Sequence, residues 1–118
     1  MQLFLAENRL ECWSGPFQTQ VATLTAWIAA IQDQAVIVTD CPDADFRLLR
    51  WLLPEWPQNL ATVPMLFTAW SMGDDEQPEI HTRMASYHTP ERPAHHALHD
   101  ANSLRIGVLY ALANGWQP

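Results

Sequence analysis

The chain has 118 residues, of which 48% are apolar, and it carries 13 acidic against 6 basic side chains for a formal charge of −7. This length and composition exclude a disordered tail and predict a single domain with one modest core. All six basic residues are arginines. So few cations exclude a broad basic face for long nucleic acid, because that kind of binding depends on neutralising many phosphates. A small site that holds a nucleotide end through metal ions remains compatible with the charge.

The two cysteines and the hydropathy of the chain bear on its compartment. Cys12 and Cys41 are too few for a disulfide scaffold, and their spacing is not that of a metal-binding pair. The first residues lack the basic region of a signal peptide, and no apolar stretch is long enough to cross a membrane. We therefore expect a soluble, cytoplasmic protein with reduced thiols and no membrane contact.

The first half of the chain predicts alternating strands and helices. Residues 3–6 read as a short strand, and Ser14-Gly15-Pro16 can open a helix. Apolar residues then recur every three or four positions, at Val21, Leu24, Trp27, Ile28 and Ile31. Residues 35–39 form a continuous β-branched run, which is typical of a central strand covered on both faces. A helix that leads into such a strand predicts an α/β layer architecture.

The second half continues with a helix over residues 46–53, stopped by Pro54, and a strand over 59–63, closed by Pro64. Residues 71–94 contain one glycine, three prolines and little periodicity, and they predict a long loop. The last helix should end at Asn114-Gly115. Its apolar face is predicted at Ala97, Ala101, Leu104, Val108 and Leu112.

The start of this last helix carries the candidate chemistry. His95 and Asp100 flank the beginning of the helix, where an Asp can hold a divalent metal while a His takes a proton from a water that attacks a phosphodiester. Two alternatives stay open. In the first, these polar residues only cap the helix; in the second, His95 and His99 bind zinc together with Cys41.

The same stretch resembles the third motif of the DEDDh 3′–5′ exonucleases, an RNase H-like family that includes proofreading exonucleases and RNase T. That motif, His-x-Ala-Leu-x-Asp-Ala, is matched by residues 95–101. A second match lies upstream, where the apolar strand and the turn after it lead to Asp45 at the start of a helix, and residues 56–60 resemble the strand that follows. The resemblance covers residues 35–114. It implies a three-layer RNase H-like fold, Asp45 and Asp100 as ligands of Mg²⁺ or Mn²⁺, and His95 as the catalytic base.

The chain departs from this family in one motif. The family's first motif is an Asp-x-Glu pair on the opening strand, and the chain has no Asp-x-Glu before residues 35–39. Its one Asp-x-Glu, Asp74-Asp75-Glu76, falls in the segment predicted as loop. The resemblance therefore implies a fold truncated at its opening strands, with residues 3–7 at the third strand of the family, and weak or absent hydrolysis unless Glu7 or Asp40 replaces the missing acids. The alternative function is a catalytically inactive RNase H-like module for binding or interaction.

Three further expectations follow from the resemblance. The carboxylates of Asp45 and Asp100 should lie within roughly 10 Å of each other, since they would share or flank the metal ions. The substrate should be short single-stranded nucleic acid or its 3′ ends, with Trp51, Trp56 and Trp70 available to stack on bases. The open sheet edge at residues 3–6 favours a homodimer or another bound partner.

Overall fold

The computed structural model describes residues 15–118, which divide into two compact units, residues 15–66 and 67–118. The strand predicted at residues 3–6, the replacement acid Glu7 and the edge predicted for dimerisation lie outside the described residues. A single domain over the whole chain stays a prediction. Within the described range, no helix combines the length and the apolar character needed to cross a membrane.

The first unit is a βαβ arrangement preceded by a helix. Helix α1 spans Phe17–Ala29, strand β1 Val38–Thr39, helix α2 Pro42–Leu52 and strand β2 Met65–Leu66. The two strands pair in parallel, with Val38 opposite Met65. Parallel neighbours require a crossover connection, and α2 lies within that connection. The predicted α/β class is therefore confirmed at the level of a mixed α/β chain with a small parallel sheet.

The strands differ from the prediction in extent and position. Only the last two residues of the predicted 35–39 strand form β1, while Ala35 makes an isolated parallel bridge with Leu60. The strand predicted over 59–63 is wrong apart from that bridge, because the second strand begins after Pro64. Proline has no N–H to donate, and the pairing resumes where the Met65 N–H donates to the Ile37 carbonyl at 2.8 Å.

The core of the first unit gathers one side chain from each of its segments. Its buried members are Ile28, Ala35, Leu53 and Leu60. The predicted apolar face of α1 is only partly buried, since Ile28 is in the core while Trp27 is 43% exposed. The Asn59 side chain donates to the carbonyls of Ile28 and Ile31 at 2.8 and 2.9 Å. It thereby adds a second donor to the Ile28 carbonyl, which also accepts from the Ile31 N–H at 3.1 Å, and ties residue 59 to the end of α1.

The second unit pairs two helices after a short 3₁₀ turn at Ala69–Ser71. Helix α3 spans Gln77–Tyr87 and helix α4 spans Ala97–Ala113. The loop predicted over 71–94 is therefore wrong for half of its length. Pro78 lies in the first turn of α3, where its missing N–H costs nothing. Ile80, Met84 and Tyr87 then follow at the helical spacing of four and three residues.

Helix α4 has the predicted bounds, and its predicted apolar face is only partly confirmed, since Val108 is buried and Leu104 and Leu112 are half-buried. Its predicted apolar positions Ala97 and Ala101 are exposed, whereas its buried residues are Ser103, Gly107, Val108 and Ala111. Small residues on this face let α3 approach closely. The Ser103 hydroxyl donates to the Met84 carbonyl at 2.9 Å and so replaces an apolar contact with a hydrogen bond between the two helices.

Candidate functional site at the start of helix α4

His95 and Asp100 are brought together at the start of α4, as the sequence predicts. The His95 backbone N–H donates to Asp100 Oδ1 at 3.1 Å. His95 has a φ of 64°, in the left-handed region, and is the one non-glycine residue with positive φ in the described part of the chain. This conformation costs about 1–2 kcal/mol and persists where surrounding contacts hold it. The Asp100 carboxylate is such a contact.

The end of α3 faces the same carboxylate through His88. Its Nε2 atom lies 3.9 Å from Asp100 Oδ1, and its Nδ1 atom lies 3.1 Å from the Arg92 carbonyl. His88 follows the last residue of α3, so the ends of two helices meet at Asp100. Asp100 Oδ2 accepts no hydrogen bond from the described residues, which leaves one carboxylate oxygen for an external group.

A second polar network lies beside this pair and was missed by the sequence analysis. Asn102 donates its side-chain N–H to Tyr87 Oη at 3.0 Å, and Tyr87 Oη lies 3.1 Å from His99 Nδ1. Since the hydroxyl accepts from Asn102, its own hydrogen is available to donate to His99 Nδ1. This arrangement fits a neutral His99 with its proton on Nε2.

The surroundings of His99 favour the same neutral form. Burial lowers the pKa of His99 below 6.5, and the positive charges of His96, Arg92 and His88 lower it further, while Asp100 opposes them. The His96 ring centre is 4.7 Å from that of His99. The site therefore combines a neutral imidazole, whose Nδ1 accepts from Tyr87, with the free carboxylate oxygen of Asp100 at one helix start.

Arg92 fixes the turn between the helices. Its guanidinium lies over the Tyr87 ring at 4.6 Å, and its Nε donates to the Tyr87 carbonyl at 2.7 Å. Sequence analysis missed Tyr87 and Arg92 because both fall in the segment predicted as loop. The four-and-three spacing that ends at Tyr87 could have revealed α3 and, with it, the tyrosine.

Asp45 occupies the first turn of α2, as predicted, and belongs to the first unit. Its Oδ2 atom accepts a hydrogen bond from the buried Thr39 hydroxyl at 2.8 Å, and that hydroxyl accepts from the Cys41 N–H at 3.0 Å. The carboxylate is thus held just beyond the carboxyl end of β1. Its proximity to Asp100 stays a prediction.

The candidate ligands can be compared with what a metal ion requires. Mg²⁺ is bound through one or two carboxylates and keeps several waters, whereas a pair of ions requires more acids. In the second unit, Asp100 offers a single free carboxylate oxygen, so this unit alone does not fit a two-metal site. Within residues 15–118, no group of three or more His, Cys, Asp or Glu side chains is arranged to hold a metal ion. Cys41 is a free, exposed thiol, and Asp40 is an exposed acid in the turn before α2.

Comparison of the chain with protein-family models, with curated proteins and with solved structures finds no match.

Proposed function

We propose that this chain is a 3′–5′ exonuclease-like domain of the RNase H-like class, which binds nucleic acid 3′ ends with Mg²⁺ or Mn²⁺ and hydrolyses them weakly. The observation that carries the proposal is the start of α4, where His95 is held in a left-handed conformation against the Asp100 carboxylate. Backbone strain of this kind accumulates at functional sites. The pair also occupies the two polar positions of the motif that the sequence resembles.

The fold of the first unit supports the same proposal. Asp45 follows β1 on the first turn of α2, and α2 connects two parallel strands. In open α/β sheets, ligands bind beyond the carboxyl ends of the strands. Asp45 has this position, and the Thr39 hydroxyl orients its carboxylate.

The residues have distinct roles in the proposed reaction. Asp45 and Asp100 would each offer a carboxylate oxygen to a divalent ion, and that ion would supply stabilisation of negative charge on the scissile phosphate. The exposed His95 imidazole takes a proton from the attacking water. Hydrolysis is expected to be slow because no Asp-x-Glu pair precedes Asp45 in the sequence, and two carboxylates neutralise a metal pair incompletely.

The test is metal-dependent binding and cleavage of a 5′-labelled single-stranded oligonucleotide with a free 3′ end. We expect Mn²⁺ to strengthen binding and to support at most slow 3′ shortening. Asp100→Asn and Asp45→Asn should remove the effect of the metal, while Asp75→Asn, an exposed acid outside both helices, should keep it. Metal-dependent binding that survives both Asp100→Asn and Asp45→Asn would overturn the proposal.

Cleavage rates test the expected weakness separately. Rapid shortening that Asp100→Asn abolishes would support the exonuclease assignment and contradict the prediction of weak hydrolysis. His95→Ala should then reduce the rate more than it reduces binding, because the imidazole is proposed to act on water and not on the metal. His81→Ala is a matched control, since His81 is exposed on α3 outside this site.

The alternative is an inactive module of the same fold that binds without hydrolysis. The observation that favours it is that no Asp-x-Glu pair lies ahead of Asp45, where the family's first motif would be. Binding of the oligonucleotide that is equal in Mn²⁺ and in EDTA, with no cleavage under either condition, would support this alternative over the exonuclease.

A further inference from the structure

The outward surface of α2 carries an unusual combination of side chains. We define the α2 outer face as Arg47, Leu48, Arg50 and Trp51, all of which are exposed. Trp51 is 75% exposed, more than any other large apolar side chain among the described residues. At 100° per residue, Arg50, Arg47 and Trp51 lie within an arc of about 100°, with Arg50 at the edge nearest the buried Phe46 and Leu48 beyond Trp51. The unit's own core therefore does not explain their chemistry.

Two of the six arginines lie on this face without acidic partners. Within residues 15–118, neither Arg47 nor Arg50 has a carboxylate oxygen within the 4.0 Å of an ion pair, although acids outnumber bases 13 to 6 in the chain. Asp43 lies one turn before Arg47 on the same side of the helix, yet the two do not pair. The positive charge of this face therefore remains available to an external anion.

One of these arginines is also held in position. The Arg50 guanidinium lies 5.2 Å from the centre of the Trp56 ring. Trp56 is itself fixed by a hydrogen bond from Nε1 to the Leu60 carbonyl at 3.0 Å and by an edge contact with Phe46. Arg50 donates no hydrogen bond to the described residues. A positioned guanidinium with unoccupied donors is suited to phosphate, which it binds through two parallel N–H donors.

We propose that the α2 outer face binds single-stranded nucleic acid, with a base stacked on Trp51 and neighbouring phosphates bound by Arg47 and Arg50. An exposed aromatic ring beside arginines is the combination that binds single strands without reading their sequence. Two arginines can neutralise only a short stretch of backbone, which agrees with the acidic charge of the whole chain. This inference deepens the proposed function, because it names the surface that binds the single-stranded nucleic acid. It rests on the proposed function for the choice of nucleic acid as the ligand.

The test measures binding of a fluorescent oligothymidylate in EDTA, where the metal-dependent contacts of the proposed function make no contribution. Trp51→Ala should weaken binding by about 5-fold or more, because stacking on an aromatic side chain contributes that much per base. Phe17→Ala is the matched control, since Phe17 is an aromatic residue of α1 that is 58% exposed and lies outside the α2 outer face. Circular dichroism of each variant should equal that of the wild-type chain.

The charges give a second and independent readout. Arg47→Ala and Arg50→Ala should each reduce the slope of log K against log salt concentration by about 0.7, the value for one phosphate contact on a single strand. Arg83→Ala should leave the slope unchanged, because Arg83 is paired with Glu79 at 2.8 Å. Asp43→Asn should strengthen binding, since it removes a negative charge beside the proposed phosphate site.

The outcomes separate this inference from the proposed function. If Trp51→Ala binds like Phe17→Ala, the inference is overturned, while loss of the Mn²⁺ effect in Asp100→Asn would still support the exonuclease. Conversely, a Trp51 effect in EDTA with no metal effect in wild type supports the inference and contradicts the exonuclease. If the wild type binds no oligonucleotide and is a dimer that Trp51→Ala converts to a monomer in light scattering, the face is a protein interface and the inference is wrong.

Discussion

Replacing Gly107 by alanine tests how closely α3 and α4 pack in the second unit. A methyl group at Gly107 would lie 2.6 Å from Met84 Sδ, 3.0 Å from Met84 Cγ and 3.2 Å from Phe67 Cε1. The first distance is well inside van der Waals contact. Phe67 is fully buried and cannot move aside, so the Met84 side chain has to change its conformation.

Two opposing effects determine the change in the free energy of unfolding. Forcing an extra carbon into a packed contact costs about 1–3 kcal/mol. Alanine in place of glycine inside a helix stabilises by about 1 kcal/mol. We therefore expect Gly107→Ala to lower the free energy of unfolding by about 1 kcal/mol. Urea-induced unfolding followed by circular dichroism measures this value, and Ala101→Gly at an exposed position of α4 calibrates the helix contribution.

A double-mutant cycle identifies the cause. In a Met84→Ala background the close contact with sulfur is absent, and Gly107→Ala should then stabilise the chain. The coupling between the two substitutions should be about 2 kcal/mol, within the range for residues in contact. If Gly107→Ala stabilises the wild type as much as it stabilises Met84→Ala, the helices do not approach as closely as the structure shows. The same packing sets the distance between the end of α3 and Asp100, so it also positions the candidate site.

Two further predictions concern single polar groups. Thr39→Val should lower the free energy of unfolding by about 1–2 kcal/mol in urea titrations, because the buried hydroxyl serves both Asp45 and the Cys41 N–H, whereas Thr39→Ser should cost less. An unchanged stability in Thr39→Val would mean that the hydroxyl is dispensable. His99 should titrate below 6.5 in an NMR pH series, and His96→Ala should raise its pKa by removing a neighbouring positive charge. The pKa of His99 is lower in the folded chain than in the unfolded chain, so the unfolded chain takes up this proton first as the pH falls. The contribution of His99 to the free energy of unfolding should therefore be present above pH 6.5 and lost as the pH falls through the folded-state pKa. A His99 pKa at or above 6.5 would contradict this.

Features that depend on neighbouring residues could be predicted from the sequence. Helix α1 begins after Pro16, α2 ends before Pro54, and α4 ends at Asn114-Gly115. Proline and glycine act on the backbone within one turn, so their effect on helix ends survives in almost any tertiary context. The meeting of His95 and Asp100 is local in the same sense, because a helix start brings residues five apart within reach of each other.

Which segment pairs with strand β1 could not be predicted from neighbouring residues. Residues 59–63 have the composition of a strand, but the second strand of the sheet begins at Met65. Which segment completes the ladder depends on where N–H groups and carbonyls of distant residues meet, and Pro64 interrupts that ladder at one point. A pattern within one segment contains no information about its partner.

The sequence by itself determined the mixed α/β class, three of the four helices in the described chain and the pairing of His95 with Asp100. Only the tertiary structure decided that α3 packs against α4, that Ser103 and Gly107 are buried between the two helices, and that Tyr87 reaches His99. The physical reason is the range of the forces concerned. Caps and helix periodicity act over one or two turns, whereas the face that a helix buries is chosen by the shape of its neighbour, and here small side chains allow a closer approach than a larger apolar stripe would.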